Sequence, residues 1–186
     1  AAYSKILPKE IIAIPRLGTI GVHPSLLPKY RGATPIQSAI LNGEQETGVT
    51  LFLVDEKIDH GPILSSIKHQ VSGTDTYKTL MRKSAELAGD LLIKTLAEFV
   101  DGKIKPRQQN ETEATYTKKF TTADAFVDLE KDEPVIMERK IRAFDPEPGT
   151  WTLKNGKRIK ILKAEIVDGK LKLRMVQEAG KKPKEV

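Results

Sequence analysis

Residues 75–101 constrain the fold most. Leu80, Ser84, Leu87, Ala88, Leu91, Leu92, Leu96 and Phe99 recur at intervals of three and four, lining one side of a long helix with small or apolar side chains. Thr74 or Asp75 can cap its start, and Gly102 stops it. The stripe reads as a core face with no cofactor role. Upstream, residues 48–54 (GVTLFLV) are β-branched and aromatic and predict a buried strand, and residues 62–71 predict a second. Residues 18–23 predict a short strand that delivers His23 into a turn-rich loop over 24–35. Thr34 as N-cap and Pro35 as first residue predict a helix over 36–41, closed by Asn42-Gly43. Residues 4–14 predict a helical turn ending at Pro15, and Ala1-Ala2-Tyr3 reads as the end of a strand. Helices interspersed with strands indicate an α/β class.

The last third has a different character. Residues 135–144 predict a short helix. Apolar runs over 149–153, 158–167 and 170–176 flank Asn155-Gly156 and Asp168-Gly169, which are hairpin turn pairs. They predict a small antiparallel sheet or barrel. Between the halves lies a polar, acidic stretch. The expected division is therefore residues 1–107, a connector over 108–134, and a second domain over 135–186. The net charge of +6 is uneven: residues 135–186 carry 14 basic against 7 acidic side chains, and residues 108–134 carry 3 against 7. A concentrated positive field suits a polyanion, although a lysine-rich solvated surface has the same composition. Lys154, Lys157, Arg158, Lys160, Lys163, Lys170, Lys172 and Arg174 are the candidate phosphate contacts, and strand alternation puts only some of them on one face.

Several classes are excluded. The absence of cysteine removes disulfides, thiolate zinc sites and cysteine nucleophiles, and it fits a cytoplasmic setting. No run of 18 apolar residues suggests a membrane span, and no secretory leader pattern opens the chain. Metal-ligand spacings, a Gly-rich phosphate loop and a Gly-x-Ser-x-Gly elbow are missing too. The opening without methionine leads to the expectation of a fragment. His23 and Asp59 each sit at a strand-end loop, where the catalytic groups of α/β sheets gather. A carboxylate can orient an imidazole and favour its charged form, and the imidazole can move protons near neutrality. His60 and His69 read as structural.

The loop His23-Pro24-Ser25-Leu26-Leu27-Pro28-Lys29-Tyr30-Arg31-Gly32-Ala33-Thr34-Pro35-Ile36 either lines a pocket with its leucines or packs as a rigid turn. Its string resembles the signature of the folate-dependent formyltransferases. Asp55-Glu56-Lys57-Ile58-Asp59-His60-Gly61-Pro62-Ile63 resembles their second signature at the family's spacing. Residues 109–119, 140–146 and Gly149-Thr150-Trp151 look like the branch of that family acting on methionyl-tRNA. The resemblance covers nearly the whole chain. It implies a partial Rossmann-like formyltransferase domain followed by a small, incomplete OB-like β-barrel that binds tRNA. It also implies 10-formyltetrahydrofolate as formyl donor and the amino group of methionyl-initiator tRNA as acceptor, with no metal or membrane partner. His23 would stabilise the oxyanion and move protons, and Asp59 would hold His23 in its productive form. Ser25, Leu26, Leu27 and Pro28 match the stretch that contacts folate, and the 55–61 loop would border the pterin. The family's third catalytic side chain, an Asn two residues before the His, is Gly21 here. A water or another residue replaces it, the enzyme is slow, or the site is degenerate; the expectation is a lineage variant with reduced or rerouted catalysis. The alternatives are formylation of an amino-sugar nucleotide and a non-catalytic remnant that binds tRNA or folate.

Overall fold

The computed structural model describes residues 7–186. The expected strand end at residues 1–3 and the start of the 4–14 turn lie outside them. The elements run α1 (Lys9–Ile12), β1 (Ile20–His23), β2 (Arg31–Gly32), α2 (Pro35–Asn42), β3 (Glu46–Leu53), β4 (Ile63–Gln70), α3 (Tyr77–Val100), a 3₁₀ turn (Glu111–Glu113), β5 (Tyr116–Thr117), α4 (Pro134–Ala143), β6 (Trp151–Lys154), β7 (Lys157–Val167), β8 (Lys170–Glu178) and β9 (Lys184–Glu185). The chain forms two compact units. The first holds the described residues up to Pro35, Gln45–Gln70 and Met81–Lys118; the second holds Ile36–Glu44, Val71–Leu80 and Lys119–Val186.

The first unit is built on a three-stranded antiparallel sheet in the order β1-β3-β4. Residues 47–52 of β3 are all buried, so the central strand reads as a continuous run instead of an alternating one. Gly48 is required there: a Cβ would collide with the Ile67 carbonyl oxygen and with Leu26. Thr50 uses its burial. Its hydroxyl donates to the Ser25 carbonyl (2.7 Å) and accepts from the Leu27 amide (3.1 Å), which fastens the loop after His23 to the sheet. Leu27 then packs with Phe52 and Ile63. A second, two-stranded parallel ribbon pairs β2 with β5, Arg31 opposite Tyr116 and Gly32 opposite Thr117.

Helix α3 corrects two expectations. Its cap is Thr76, not Thr74 or Asp75: the Thr79 amide donates to Thr76 Oγ1 (3.3 Å) and the Thr76 amide to Thr79 Oγ1 (2.9 Å), a reciprocal capping box. Its stripe is also only partly a core. Leu80 and Ser84 are buried, but Leu87, Ala88, Leu91 and Leu92 are half-buried and Leu96 is exposed. In the first unit the helix is held to β4 by hydroxyl bonds, His69 Nε2 to Ser84 Oγ (3.1 Å) and Ser65 Oγ to Thr95 Oγ1 (2.7 Å). Periodicity counts apolar positions and does not register such polar contacts.

In the second unit, Ile36, Ile40, Leu80, Ala125, Ala143 and Phe144 form one cluster, and Val127, Met137, Ile141 and Ile161 another. Strands β6 to β9 form a four-stranded antiparallel sheet in chain order. Asn155-Gly156 and Asp168-Gly169 turn it with positive φ at both residues, as two-residue hairpins require. Strand β9 carries no apolar signal and was not expected. The stretch 108–134, read as a connector, carries core: Ala125 and Val127 have no exposed surface, the Val127 amide donates to the Trp151 carbonyl (2.9 Å), and the Trp151 amide donates to the Ala125 carbonyl (3.1 Å). Among the described residues, no helix is long and apolar enough to cross a membrane.

If 119–128 is packed structure, Val127→Ala should lower the unfolding free energy by about 2 kcal/mol. Glu130→Ala, at an exposed position just beyond that stretch, should stay within about 0.5 kcal/mol. Urea unfolding followed by Trp151 fluorescence measures both.

Candidate active site

Strand β1 ends on His23, which is 5% exposed. The loop after it doubles back, so that Tyr30, in the left-handed region at φ 62°, presents its carbonyl to His23 Nε2 at 2.8 Å. A carbonyl only accepts, so Nε2 carries the hydrogen and Nδ1 of the neutral ring offers its lone pair. Asp59 faces that lone pair: its Oδ2 lies 3.4 Å from His23 Nδ1. The same oxygen accepts from the Gly32 amide at 2.7 Å. The two side chains singled out in the sequence are therefore brought together, from separate loops. Two acceptors facing at this distance leave room for one shared proton between them. Burial pushes the His23 imidazole below its ordinary pKa, and the Asp59 charge and the Tyr30 carbonyl only partly restore it. The ring is thus a neutral base at pH 7, with a carboxylate placed to stabilise the imidazolium it forms.

A second layer surrounds this pair. Arg31 has no exposed surface, and all five of its N–H groups are used. Nε and Nη2 donate to Gln109 Oε1 (3.1 and 2.8 Å), Nη1 and Nη2 to Glu111 (3.0 and 2.6 Å), and Nη1 also to the Tyr116 hydroxyl (3.0 Å). These bonds hold the Glu111 carboxyl below its usual range. His60 lies with its Nδ1 2.6 Å from Asp55 Oδ2 and its Nε2 3.5 Å from Glu111 Oε1. Sequence reasoning missed Arg31, Gln109, Glu111 and Tyr116 as a set. Their signal was present, because all four lie in the strings that carry the family resemblance, but nothing in one sequence pairs position 31 with 109.

Of the folate-matching residues, Ser25 and Leu27 are buried and their side chains face inward, Ser25 donating to the Lys29 carbonyl (2.6 Å). Leu26 and Pro28 are half-buried and reach the surface. Gly21 sits opposite Phe52 in the β1–β3 register, and a Cβ there would stand 2.5 Å from the Phe52 ring. The aromatic ring fills the room that a side chain at position 21 needs. Among the described residues, no cluster of three or more His, Asp or Glu could hold a metal ion.

Known proteins match this chain in both halves. Residues 1–96 match the family model described as formyl transferase, and residues 119–180 match that described as formyl transferase, C-terminal domain. Methionyl-tRNA formyltransferase of Kosmotoga olearia is 44% identical over 167 residues, covering 90% of this chain and 53% of that protein. The chain thus spans about half the length of that relative. Among solved structures, HypX from Aquifex aeolicus in complex with tetrahydrofolic acid superposes with a TM-score of 0.79 at 22% identity, over 99% of this chain and 36% of that one. Methionyl-tRNA formyltransferase from Clostridium thermocellum gives 0.72 at 24% identity, over 95% and 74%. Both likenesses are of fold.

Two predictions follow from the geometry. The unfolded chain protonates His23 near pH 6.5, whereas the native state does so at lower pH. Below about pH 6.5 the unfolded state binds the extra proton, so native stability falls as pH drops through that window. Urea unfolding between about pH 7.5 and 5 should show this slope, and His23→Gln should flatten it. Separately, Gly21→Asn should cost about 1–3 kcal/mol by overpacking. Combined with Phe52→Leu it should cost less than the sum of the two single changes, in a double-mutant cycle.

Proposed function

The chain belongs to the formyl transferase family, and from that premise we propose that its catalytic pair is His23 with Asp59 and that it transfers a formyl group to the amino group of methionyl-initiator tRNA. The donor is 10-formyltetrahydrofolate. The observation that carries the reading is the 3.4 Å approach of His23 Nδ1 to Asp59 Oδ2. An ammonium group entering beside them loses a proton to Nδ1, directly or through water. The freed amine attacks the formyl carbon, a new C–N bond forms, and the second, now acidic proton of the attacking nitrogen passes to solvent. The bond from that carbon to the donor nitrogen then breaks with its electron pair, and the imidazolium returns a proton to that nitrogen. Asp59 remains a carboxylate throughout and stabilises the imidazolium. Gly21 offers no donor to the developing oxyanion, and Phe52 occupies its side-chain space, so the imidazolium carries that duty without the family's Asn.

The half-buried Leu26 and Pro28 are the side chains of the folate stretch that can meet a ligand, with Ser25 and Leu27 holding the loop beneath them. In this reading the β1-β3-β4 sheet is the antiparallel edge of a Rossmann-like sheet. β1 has no second strand neighbour among the described residues, and its Val22 is 48% exposed. Strands β6 to β9 belong to an OB-like barrel whose basic residues meet tRNA phosphates. The functional division is residues 1–107 for catalysis and 135–186 for tRNA, with the stretch between them packed partly on the first unit and partly in the second, in a cytoplasmic enzyme of translation initiation.

The test uses the product of the full reading frame, with labelled formyl donor offered to charged initiator tRNA and to an amino-sugar nucleotide. Transfer to tRNA is expected, with His23→Ala lowering it by about 10²–10⁴-fold. Formylation of the nucleotide sugar and not of tRNA would discard this reading. Salt-sensitive tRNA binding without any transfer would make the protein a non-catalytic remnant.

A further inference from the structure

We propose that Gln109 is a positioning residue for Asp59: its carboxamide locks the left-handed turn at Asp59, and this turn aims the carboxylate at His23. The kinetic consequence rests on the formyl-transfer reading above, whereas the geometric one does not.

Asp59 has φ 48°, a region that non-glycine residues occupy only when their surroundings hold them there. Gln109 supplies the hold. Its Nε2 donates to the Asp59 carbonyl (2.9 Å) and to the Gly61 carbonyl (2.8 Å), pinning the loop on both sides of His60. Its Oε1 accepts twice from Arg31 (3.1 and 2.8 Å). Both hydrogens and both lone pairs of the amide are therefore used. A flipped amide would set its oxygen against two carbonyls and its NH₂ against a guanidinium, so the neighbours admit one orientation. Arg31 is buried and further tied to Glu111 and Tyr116, which makes the anchor behind Gln109 rigid. The loop is also closed at Gly61, where a Cβ would collide with the Leu53 carbonyl oxygen. Gln109 itself bonds the backbone of Asp59 and leaves the carboxylate to the Gly32 amide and His23. Its direct contact with the pair is thus through Asp59, whereas a route through Arg31 to the Tyr30 carbonyl on His23 Nε2 would persist in Asp59→Asn.

The route through Asp59 gives a readout which a merely structural glutamine would not move. Asp59 is the charged group acting on the His23 ring, and it raises the ring's pKa. Releasing the turn should let the carboxylate withdraw and the His23 pKa fall. Gln109→Met keeps the length and loses every hydrogen bond; Gln109→Asn keeps the amide and is too short to span Arg31 and both carbonyls. NMR titration of the His23 ring in this chain should show a lower pKa in both variants, in the same direction as Asp59→Asn, with His69 unchanged. In the product of the full reading frame, kcat for formyl transfer should fall about 10- to 100-fold, while KM for the formyl donor stays within about threefold. The acid limb of the rate profile should move to lower pH with the imidazole. In an Asp59→Asn background, Gln109→Met should cost less than about twofold more. An unshifted His23 titration in either variant with a native spectrum overturns the proposal, as does an equal fractional loss in both backgrounds. Loss of the folded spectrum in both variants overturns it too, because Gln109 would then be a general structural support. The titration needs no turnover. A shifted His23 in a protein that transfers no formyl group therefore rejects the functional reading and leaves the positioning role intact.

Discussion

The guanidinium of Arg31 is fully buried, and the first unit is arranged around satisfying it. A buried charge is tolerable only when its donors are paired, because the alternative is an uncompensated ion in a low-dielectric interior. Arg31 obtains five hydrogen bonds from three side chains, Gln109, Glu111 and Tyr116, all far away in sequence. That need recruits residues 109–117 onto the first unit and gives β2 its neighbour, β5. Thr117 extends the seam, accepting from the Thr34 amide (3.1 Å) and donating to the Arg31 carbonyl (3.1 Å). The polar composition of the stretch follows directly, since an apolar segment could not neutralise a buried arginine.

The catalytic candidates depend on this seam and on Thr50, and the two fastenings act on opposite sides of His23. Thr50 bolts the loop after His23 to the central strand through Ser25 and Leu27. The seam fixes Arg31 and Gly32, and the Gly32 amide then meets Asp59 Oδ2. The imidazole is held at Nε2 by a backbone carbonyl from its own loop. The tautomer is thus set by a main-chain acceptor. What remains free is Nδ1, the nitrogen that faces the carboxylate.

The sequence made some of this legible and hid the rest for identifiable reasons. Strands β1, β3 and β4, helices α2 and α4, and both hairpin turns lie close to where periodicity and turn chemistry put them, because those signals are local. Strand-end placement already offered His23 and Asp59 as a pair, and the resemblance between strings is what set them apart from other such candidates. The cap of α3 was misassigned because Thr74, Asp75 and Thr76 are all competent cap residues, and the choice falls to whichever hydroxyl meets Thr79. Ala125 and Val127 were lost in an acidic background: two small buried side chains do not make an apolar period, and their burial is set by backbone pairing with Trp151. Leu96 went the other way, with a helical period and 46% exposure.

The basic surface of the second unit shows how structure thins a list that composition supplies. Of the eight cationic candidates, Arg174 is ion-paired with Glu165. Lys160 donates to the Pro146 carbonyl (3.2 Å), and Arg158 stacks 4.5 Å over the Trp151 ring. Along β8, Lys170, Lys172 and Arg174 alternate with Leu171 and Leu173, which pack against the Val127 cluster, so the three cations share the outer face. Lys172 lies opposite Glu165 in the register and shares its field with Arg174. Lys154 and Lys157 face each other at the exposed end of the β6–β7 hairpin. Like charges directly opposite destabilise a strand pair, so the hairpin tip gains from any polyanion that screens them. Lys170 begins β8 beside the other turn and is also exposed. Uncompensated positive charge in this unit therefore concentrates at the two hairpin ends, where the cations lack carboxylate partners among the described residues, and less in the middle of the sheet, where Glu165 already offsets it.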